Sequence, residues 1–298
     1  MASASTLNRS LELAGTLPAL MVAADRVAAT VIQGVHGRRR VGQGDAFWQY
    51  RPYRDGDAAS QIDWRQSARS RHLFVRETEW EAAASVWLWR DASPSMQYAS
   101  LRNTDTKAVR AELITLALAS LLSDAGERVA VLGSGMRPIS GRIAVRRIAE
   151  TLFDETRNTS RPPPSLPPLV PLPAHGSVVL VSDWLDPLDK IEEVVRHYAS
   201  GGVRGHIVQV LDPAEEDLPF DGHVKFEGLE AEGQHTIRRV ETVRTAYGAR
   251  LAAQREGLQR LARPSNWTVH LHRTDKPAQT VLLSLYMAMA DLRRLTAA

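Results

Sequence analysis

Residues 85–96 read Ser-Val-Trp-Leu-Trp-Arg-Asp-Ala-Ser-Pro-Ser-Met, and this stretch decides the fold. The run 86–89 is apolar and rich in aromatic and β-branched side chains, a pattern that predicts a strand. A polar turn begins directly after it at Asp91. A strand that is apolar on both faces is typical of a parallel sheet covered by helices on each side.

Strands and helices alternate after this stretch. Helices are expected at about 106–125, 142–155, up to about 198, at 240–261 and at the end of the chain. Strands are expected at 128–132, 177–183, 205–211, 223–226 and 267–272. This alternation predicts a doubly wound, mostly parallel α/β sheet of about five to six strands.

Composition divides the chain into three parts. Residues 1–33 are rich in alanine and helical in period, which predicts an N-terminal helix that packs against another surface. Residues 34–81 are dense in glycine, aromatic and charged side chains, which predicts an extension of loops and short strands. Residues 82–298 form the predicted α/β domain, and seven prolines in 161–173 make that segment an extended surface connector.

The overall composition excludes several classes of protein. The 298 residues are 44% hydrophobic and 24% charged, as in globular proteins. The absence of cysteine excludes disulfides, iron–sulfur clusters and thiol nucleophiles, and it favours a cytoplasmic location. No apolar run approaches the roughly 20 residues of a membrane span. Glu12 and Pro18 interrupt the apolar stretch 11–24, which argues against a secretion signal.

Polar side chains follow two of the predicted strands. Asp91, Ser93 and Ser95 alternate after the first strand, and Ser182 and Asp183 end a later one; we call these five residues the strand-end site. Ligands of open parallel sheets bind beyond the carboxyl ends of the strands, where the strand order reverses. Two carboxylates and two hydroxyls, completed by water, suit magnesium. The alternative interpretation is ordinary turn and helix-capping chemistry.

The strand-end site resembles the metal-ion-dependent adhesion site of von Willebrand factor A domains. The resemblance implies that the site holds Mg²⁺ directly through Asp91, Ser93 and Ser95 and through water at Asp183, with Mn²⁺ or Ca²⁺ as substitutes. It also requires a threonine, for which Thr159 or the adjacent Ser160 is the first candidate and Ser140 the second.

A second resemblance covers about residues 34–290. The chain resembles the bacterial family of domain of unknown function number fifty-eight in Gly37-Arg-Arg-Arg, Gly42-Gln-Gly44, Arg51-Pro-Tyr53, Gly56-Asp57, Ile62-Asp63-Trp64, Ser67-Ala68-Arg69 and Leu211-Asp212-Pro213. This resemblance implies a von Willebrand factor A-like domain that is commonly encoded beside a MoxR-type AAA+ ATPase. Many members carry two membrane spans near the N terminus, which this sequence lacks.

Residues 34–81 carry most of the net charge of +3, and we call this segment the Arg/aromatic block. Within it, residues 34–80 hold nine arginines and six acidic residues among the aromatic side chains. The block is open to three interpretations, which are a docking face for a protein, an internal network of ion pairs and cation–π contacts, and a surface for single-stranded nucleic acid. The expected partner-binding residues are Arg38, Arg39, Arg40, Arg51, Tyr53, Arg54, Asp57, Asp63, Trp64 and Arg69.

The sequence lacks the glycine-rich motifs of nucleotide-binding sites after its predicted strands, and it lacks the motifs of serine and zinc hydrolases. His270 and His272 alternate along one strand, and we interpret them as half-buried strand residues.

The sequence therefore predicts a non-enzymatic interaction module with an adhesion-type metal site. It is expected to act as an adaptor of a MoxR-type AAA+ ATPase in a chaperone-like or envelope and stress-related system. One alternative is a nucleic-acid-binding module with a vestigial metal site, tested by the salt dependence of binding. A second is a metal-dependent phosphoesterase at Asp91 and Asp183, for which the sequence places no general base.

Overall fold

A computed structural model gives the conformation of most of the chain. It describes residues 21–32, 47–53, 62–70, 72–78, 85–101, 105–157, 162–229 and 233–297. In chain order the helices and strands are α1 (21–32), β1 (Phe47–Pro52), α2 (Trp64–Ser67), β2 (Phe74–Thr78), β3 (Ser85–Arg90), α3 (Lys107–Asp124), β4 (Arg128–Val131), α4 (Arg142–Arg157), β5 (Ser177–Ser182), α5 (Leu188–Ser200), β6 (Arg204–Leu211), α6 (Pro213–Asp217), β7 (Val224–Glu227), β8 (Gln234–Ile237), α7 (Arg244–Ala262), β9 (Thr268–Arg273) and α8 (Ala278–Ala297). The chain divides into two compact units, one of residues 36–83 and one of the remainder.

The larger unit is built on a five-stranded sheet in the order β4-β3-β5-β6-β9, and every neighbouring pair is parallel. The strand order therefore reverses between β3 and β5, which is the switch point of a doubly wound sheet. This confirms the predicted parallel α/β fold with about five strands.

Alternate residues of the central strands enter two different cores. Val86 and Leu88 of β3 pack in one core, beneath α1, α3, α4 and α8. Trp87 and Trp89 pack in the other, together with residues of α5 and α7. Because side chains of a strand alternate between faces, a strand with helices on both sides must be apolar throughout.

The predicted N-terminal helix is present in the described residues as α1. Ala24, Ala28 and Val31 lie on one face of it and are buried in the first core. In addition, the Ser120 hydroxyl of α3 donates to Asp25 at 2.9 Å. In the described residues, α1 is therefore part of the domain's own core.

Two sequence predictions need correction. The strand expected at 223–226 is β7, which pairs with β8 in a separate antiparallel hairpin and not with the central sheet. The strand expected to begin at Trp267 begins one residue later. The Trp267 amide instead donates to the carbonyl of Ala262 at the end of α7. The Trp267 ring packs on Gly205, where an added Cβ would be 1.9 Å from the ring.

The proline-rich connector has no helix or strand between 162 and 173. Leu166, Val170 and Leu172 are half-buried against the second core. Pro168 lies over Gly133, where a Cβ would be 2.6 Å from the proline ring and the φ is +81°. The connector is thus held against the domain by its apolar side chains.

The smaller unit, where it is described, is an antiparallel hairpin of β1 and β2 with the one-turn helix α2. The Gln66 amide donates to the Asp63 carboxylate at 2.9 Å, so Asp63 is the N-cap of α2. Loops and short strands are the structure that its sequence predicts.

Of the helices in the described parts of the chain, none has the length and apolar character needed to cross a membrane.

Candidate functional site

The strand-end site lies at the switch point of the central sheet. Asp91 follows the last residue of β3, and Asp183 follows the last residue of the adjacent β5. The Asp91 amide donates to the carbonyl of Val181 at 2.8 Å, which continues the pairing of the two strands to their ends. The parallel register therefore brings the two aspartates to the same edge of the sheet, as predicted.

Asp91 is fully buried and is held from both sides. One carboxylate oxygen accepts from the Ser93 amide at 2.7 Å, and the other accepts from the Ser182 hydroxyl at 2.8 Å. Burial raises the pKa of Asp91 to about 7, although these hydrogen bonds oppose the rise. The carboxyl group consequently changes its charge near neutral pH.

A chain of hydroxyl groups joins the two strand ends. The Ser93 and Ser95 hydroxyl oxygens lie 3.0 Å apart, and the Ser95 hydroxyl donates to Asp183 Oδ2 at 3.0 Å. The short 3₁₀ helix Pro94–Gln97 turns the chain so that both serines point to this place. The structure thus brings together all five residues of the strand-end site.

Lys107 is a member of the site that the sequence reasoning missed. Its side chain is completely buried, and its ammonium nitrogen lies 2.9 Å from Asp183 Oδ2 and 2.6 Å from Glu215 Oε1. Burial alone lowers the pKa of Lys107, but the two carboxylates more than offset this effect and raise it above its ordinary value. Lys107 is therefore a buried cation at neutral pH.

One signal for Lys107 is present in the sequence. It is the first residue of α3, directly after the N-cap Thr106. A cation at a helix N-terminus opposes the helix dipole, so a lysine at this position is unfavourable unless other groups compensate its charge.

Glu215 reaches the site because α6 begins with a capping box. The Ala214 amide donates to Asp212 at 2.8 Å, and Glu215 accepts from the Asp212 amide at 3.0 Å through its other oxygen. Asp212 also accepts from the Ser100 amide at 3.0 Å. The segment that begins with Asp212-Pro213, which contributed to the family resemblance, thus places Glu215 beside Lys107 as its second carboxylate partner.

Two oxygen–oxygen separations of the site, both of them hydrogen bonds, are also compatible with neighbouring ligands of a magnesium ion. Neighbouring ligands of an octahedral Mg²⁺ ion are about 3 Å apart, which matches the separations of Ser93 from Ser95 and of Ser95 from Asp183. Within the described ranges, no three His, Cys, Asp or Glu side chains are grouped as metal ligands, so the hydroxyls are essential to this donor set. Thr159 and Ser160 lie outside the described residues, and Ser140 is exposed.

The predicted partner-binding residues of the Arg/aromatic block are described only in part. Arg38, Arg39, Arg40, Arg54 and Asp57 lie outside the described residues. Of Arg51 only the backbone, in β1, is described.

The other four lie at one end of the β1–β2 hairpin. The amides of Tyr53 and Asp63 donate to the neighbouring carbonyls of Leu73 and Phe74. Trp64 is 64% exposed, and Arg69 is exposed as well. The exposure of both a tryptophan and an arginine in this part of the block is compatible with the expected docking face.

The two histidines of β9 are more buried than predicted, with 8% of His270 and 6% of His272 exposed. The Thr268 hydroxyl lies 2.8 Å from the rings of both His270 and His206, and His270 also lies 3.0 Å from the Ser284 hydroxyl. Burial lowers the pKa of His270 and His272 to about 4 and that of His206 to about 3. These rings are neutral polar groups of the interior at physiological pH.

Comparison with known proteins gives one family match and three distant relatives. The family model described as "Protein of unknown function DUF58" matches residues 49–257. Uncharacterized proteins of Mycobacterium bovis and Mycobacterium tuberculosis are 24% identical to this chain over 279 residues, which cover 89% of it and 86% of each relative. No solved structure matches the chain.

Proposed function

Because this chain belongs to the DUF58 family, whose function is unknown, we propose a function from the strand-end site itself. The chain is a non-enzymatic protein-interaction module with a von Willebrand factor A-like domain. Its partner docks at the edge of the sheet where β3 and β5 end.

The observation that carries this proposal is the hydroxyl chain across the switch point. Ser95 contacts Ser93 on its own loop and Asp183 at the end of the adjacent strand, so one turn links the two strand ends. Ser95 is only partly buried, in contrast to the residues beneath it. A partner that contacts this turn would therefore be coupled to the buried charges of the site.

The burial of the carboxylates favours binding over catalysis. Asp91 is 0% exposed and Asp183 is 3% exposed, so neither carboxylate can itself act as a general base on a bound phosphate ester. A general base must come within hydrogen-bond reach of its substrate. This supports an interaction module over a metal-dependent phosphoesterase.

Mg²⁺ is the proposed cofactor of the site. The Ser93 and Ser95 hydroxyls would hold it, together with the carboxylates of Asp91 and Asp183. The separations of 3.0 Å between Ser93 and Ser95 and between Ser95 and Asp183 support the part of this set that contains those three residues. When bound, the ion would supply a coordination position for an acidic side chain of the partner.

The proposed partner is a MoxR-type AAA+ ATPase or one of its clients in the cytoplasm. This part of the proposal rests on the family resemblance. The Arg/aromatic block, with the exposed Trp64, is proposed as a second contact region.

The test is capture of partners from a native lysate by the tagged full-length chain, with mass spectrometry of the eluate. Capture of a MoxR-type ATPase is expected with wild type and is expected to be lost with Ser95→Ala. Ser200→Ala is the matched control, because this exposed serine lies at the end of α5, toward the opposite edge of the sheet.

Parallel captures in Mg²⁺ and in chelator test the cofactor. Equal capture in Mg²⁺ and in chelator would be consistent with an interaction module but would show that partner binding does not need the metal. Equal capture by wild type and Ser95→Ala would refute docking at the strand-end site. Recovery of nucleic acid alone, with steep loss at high salt, would favour the nucleic-acid-binding alternative.

A further inference from the structure

The buried ammonium of Lys107 contacts the carboxylate of Asp183, which is one of the groups that would hold a metal ion in the strand-end site. Asp183 Oδ2 accepts from the Ser95 hydroxyl at 3.0 Å and from Lys107 at 2.9 Å. The other oxygen of Asp183 lies 3.3 Å from the Leu185 amide, which donates to it. Both oxygens of this carboxylate thus have hydrogen-bond donors from the protein itself.

The position of Lys107 is fixed by the fold. It is the first residue of α3, Thr106 caps that helix, and the Lys107 amide donates to the carbonyl of Tyr98 at 3.2 Å. Its side chain is 0% exposed. Because no part of it reaches water, the ammonium must remain next to the carboxylates that compensate its charge.

The positive charge of Lys107 affects which ions the strand-end site can bind. A unit charge about 4 Å from a divalent cation changes its binding constant by well over tenfold, even at an effective dielectric constant of about 20. We infer that Lys107 is a built-in cation of the strand-end site, which balances Asp183 and Glu215 and thereby opposes the binding of a divalent cation. The site of the proposed function is consequently ordered in the absence of metal, and its affinity for Mg²⁺ is low.

This inference rests on the proposed function only in taking the strand-end site as the place where a cation would bind. The experiment therefore measures cation binding by the full-length chain without any partner. Its result is independent of whether an ATPase is captured.

The test is the Mg²⁺ affinity of Lys107→Met, measured by isothermal titration calorimetry against wild type. The variant is expected to bind Mg²⁺ at least about tenfold more tightly, because the repulsion is removed while Asp183 is retained. Its melting temperature is expected to rise with Mg²⁺ until the site is saturated. Lys190→Met, which removes an exposed lysine of α5, is expected to behave as wild type.

Two further variants keep the test decisive. Lys107→Met with Glu215→Gln removes one charge of each sign, so it guards against loss of the fold and is expected to show a smaller gain in affinity than Lys107→Met, because the attraction of Glu215 for the cation is lost as well. Asp183→Asn added to Lys107→Met is expected to abolish the gain.

Three results would overturn the inference. The first is an equal Mg²⁺ affinity of wild type and Lys107→Met. The second is that Lys107→Met and its combination with Glu215→Gln both fold but bind no Mg²⁺. The third is that neither of these two variants folds in excess Mg²⁺.

Discussion

Two buried polar clusters of this domain respond to burial in opposite ways. At the strand-end site, Lys107 keeps its charge in contact with Asp183 and Glu215. Between β6, β9 and α8, His206 and His270 are kept neutral and are joined through the Thr268 hydroxyl. The first cluster offsets the desolvation cost of burial by pairing opposite charges, and the second avoids this cost because its groups are neutral.

This difference indicates where function lies. A buried ion pair is weak evidence for stability, because replacing it with well-packed apolar residues is often neutral or stabilising. Neutral histidines that hydrogen bond to a threonine, in contrast, are an ordinary way to satisfy polar groups of a core. The cluster that retains charge, at the switch point of the sheet, is therefore the stronger candidate for a role in binding.

The largest effect is expected when the charged cluster loses its cation. Lys107→Ala should lower the free energy of unfolding in chelator by about 5 kcal/mol, the upper end of the range for breaking a buried pair, because two carboxylates lose their partner. Urea unfolding measures this change. Lys190→Ala is the control and should change stability by less than about 0.5 kcal/mol. A loss below about 1 kcal/mol for Lys107→Ala would contradict a buried ammonium group that compensates the charges of Asp183 and Glu215.

The next effect concerns Asp91, whose pKa is raised to about 7 in the folded chain from an ordinary 3.8. Its contribution to stability is present below pH 3.8 and is lost as the pH rises to 7, because the folded state holds a proton that the unfolded state has released. Asp91→Asn cannot release this proton. Its stability relative to wild type should rise by about 4 kcal/mol between pH 4 and pH 8 in chelator.

Unfolding by urea at a series of pH values measures the Asp91 effect. Asp189→Asn, an exposed aspartate of α5, is the matched control. A difference between Asp91→Asn and wild type that stays constant with pH would contradict a buried, protonated Asp91.

The two clusters also differ in how far the sequence could predict them. The meeting of Asp91 and Asp183 followed from two apolar strands and the rule that parallel strands end at one edge. Lys107 was missed because its partners lie 76 and 108 residues away along the chain, and no local pattern records such a pairing. Its unfavourable place at a helix start was the only local sign.

The same limit applies to the fold. The long buried strands and their helices could be predicted, because burial on both faces leaves a continuous apolar run. The four-residue strand β7 could be recognised as a strand, but its place in a separate hairpin could not be predicted, because its alternating burial carries no information on its partner. The degree of burial of His270 depends on the packing of α8 against β9, which the strand sequence does not contain.

The smallest of these effects is expected at the neutral cluster, and it has the opposite sign to that at Asp91. Burial lowers the pKa of His270 from 6.5 to about 4, so its contribution to stability is present above pH 6.5 and is lost as the pH falls to 4. Wild type should therefore lose about 3 kcal/mol more than His270→Gln between pH 7 and pH 4. His175→Gln, at an exposed position before β5, is the control. Parallel pH profiles for wild type and His270→Gln would show that this ring takes up a proton in the folded state, and the contrast between a charged and a neutral cluster would then fail.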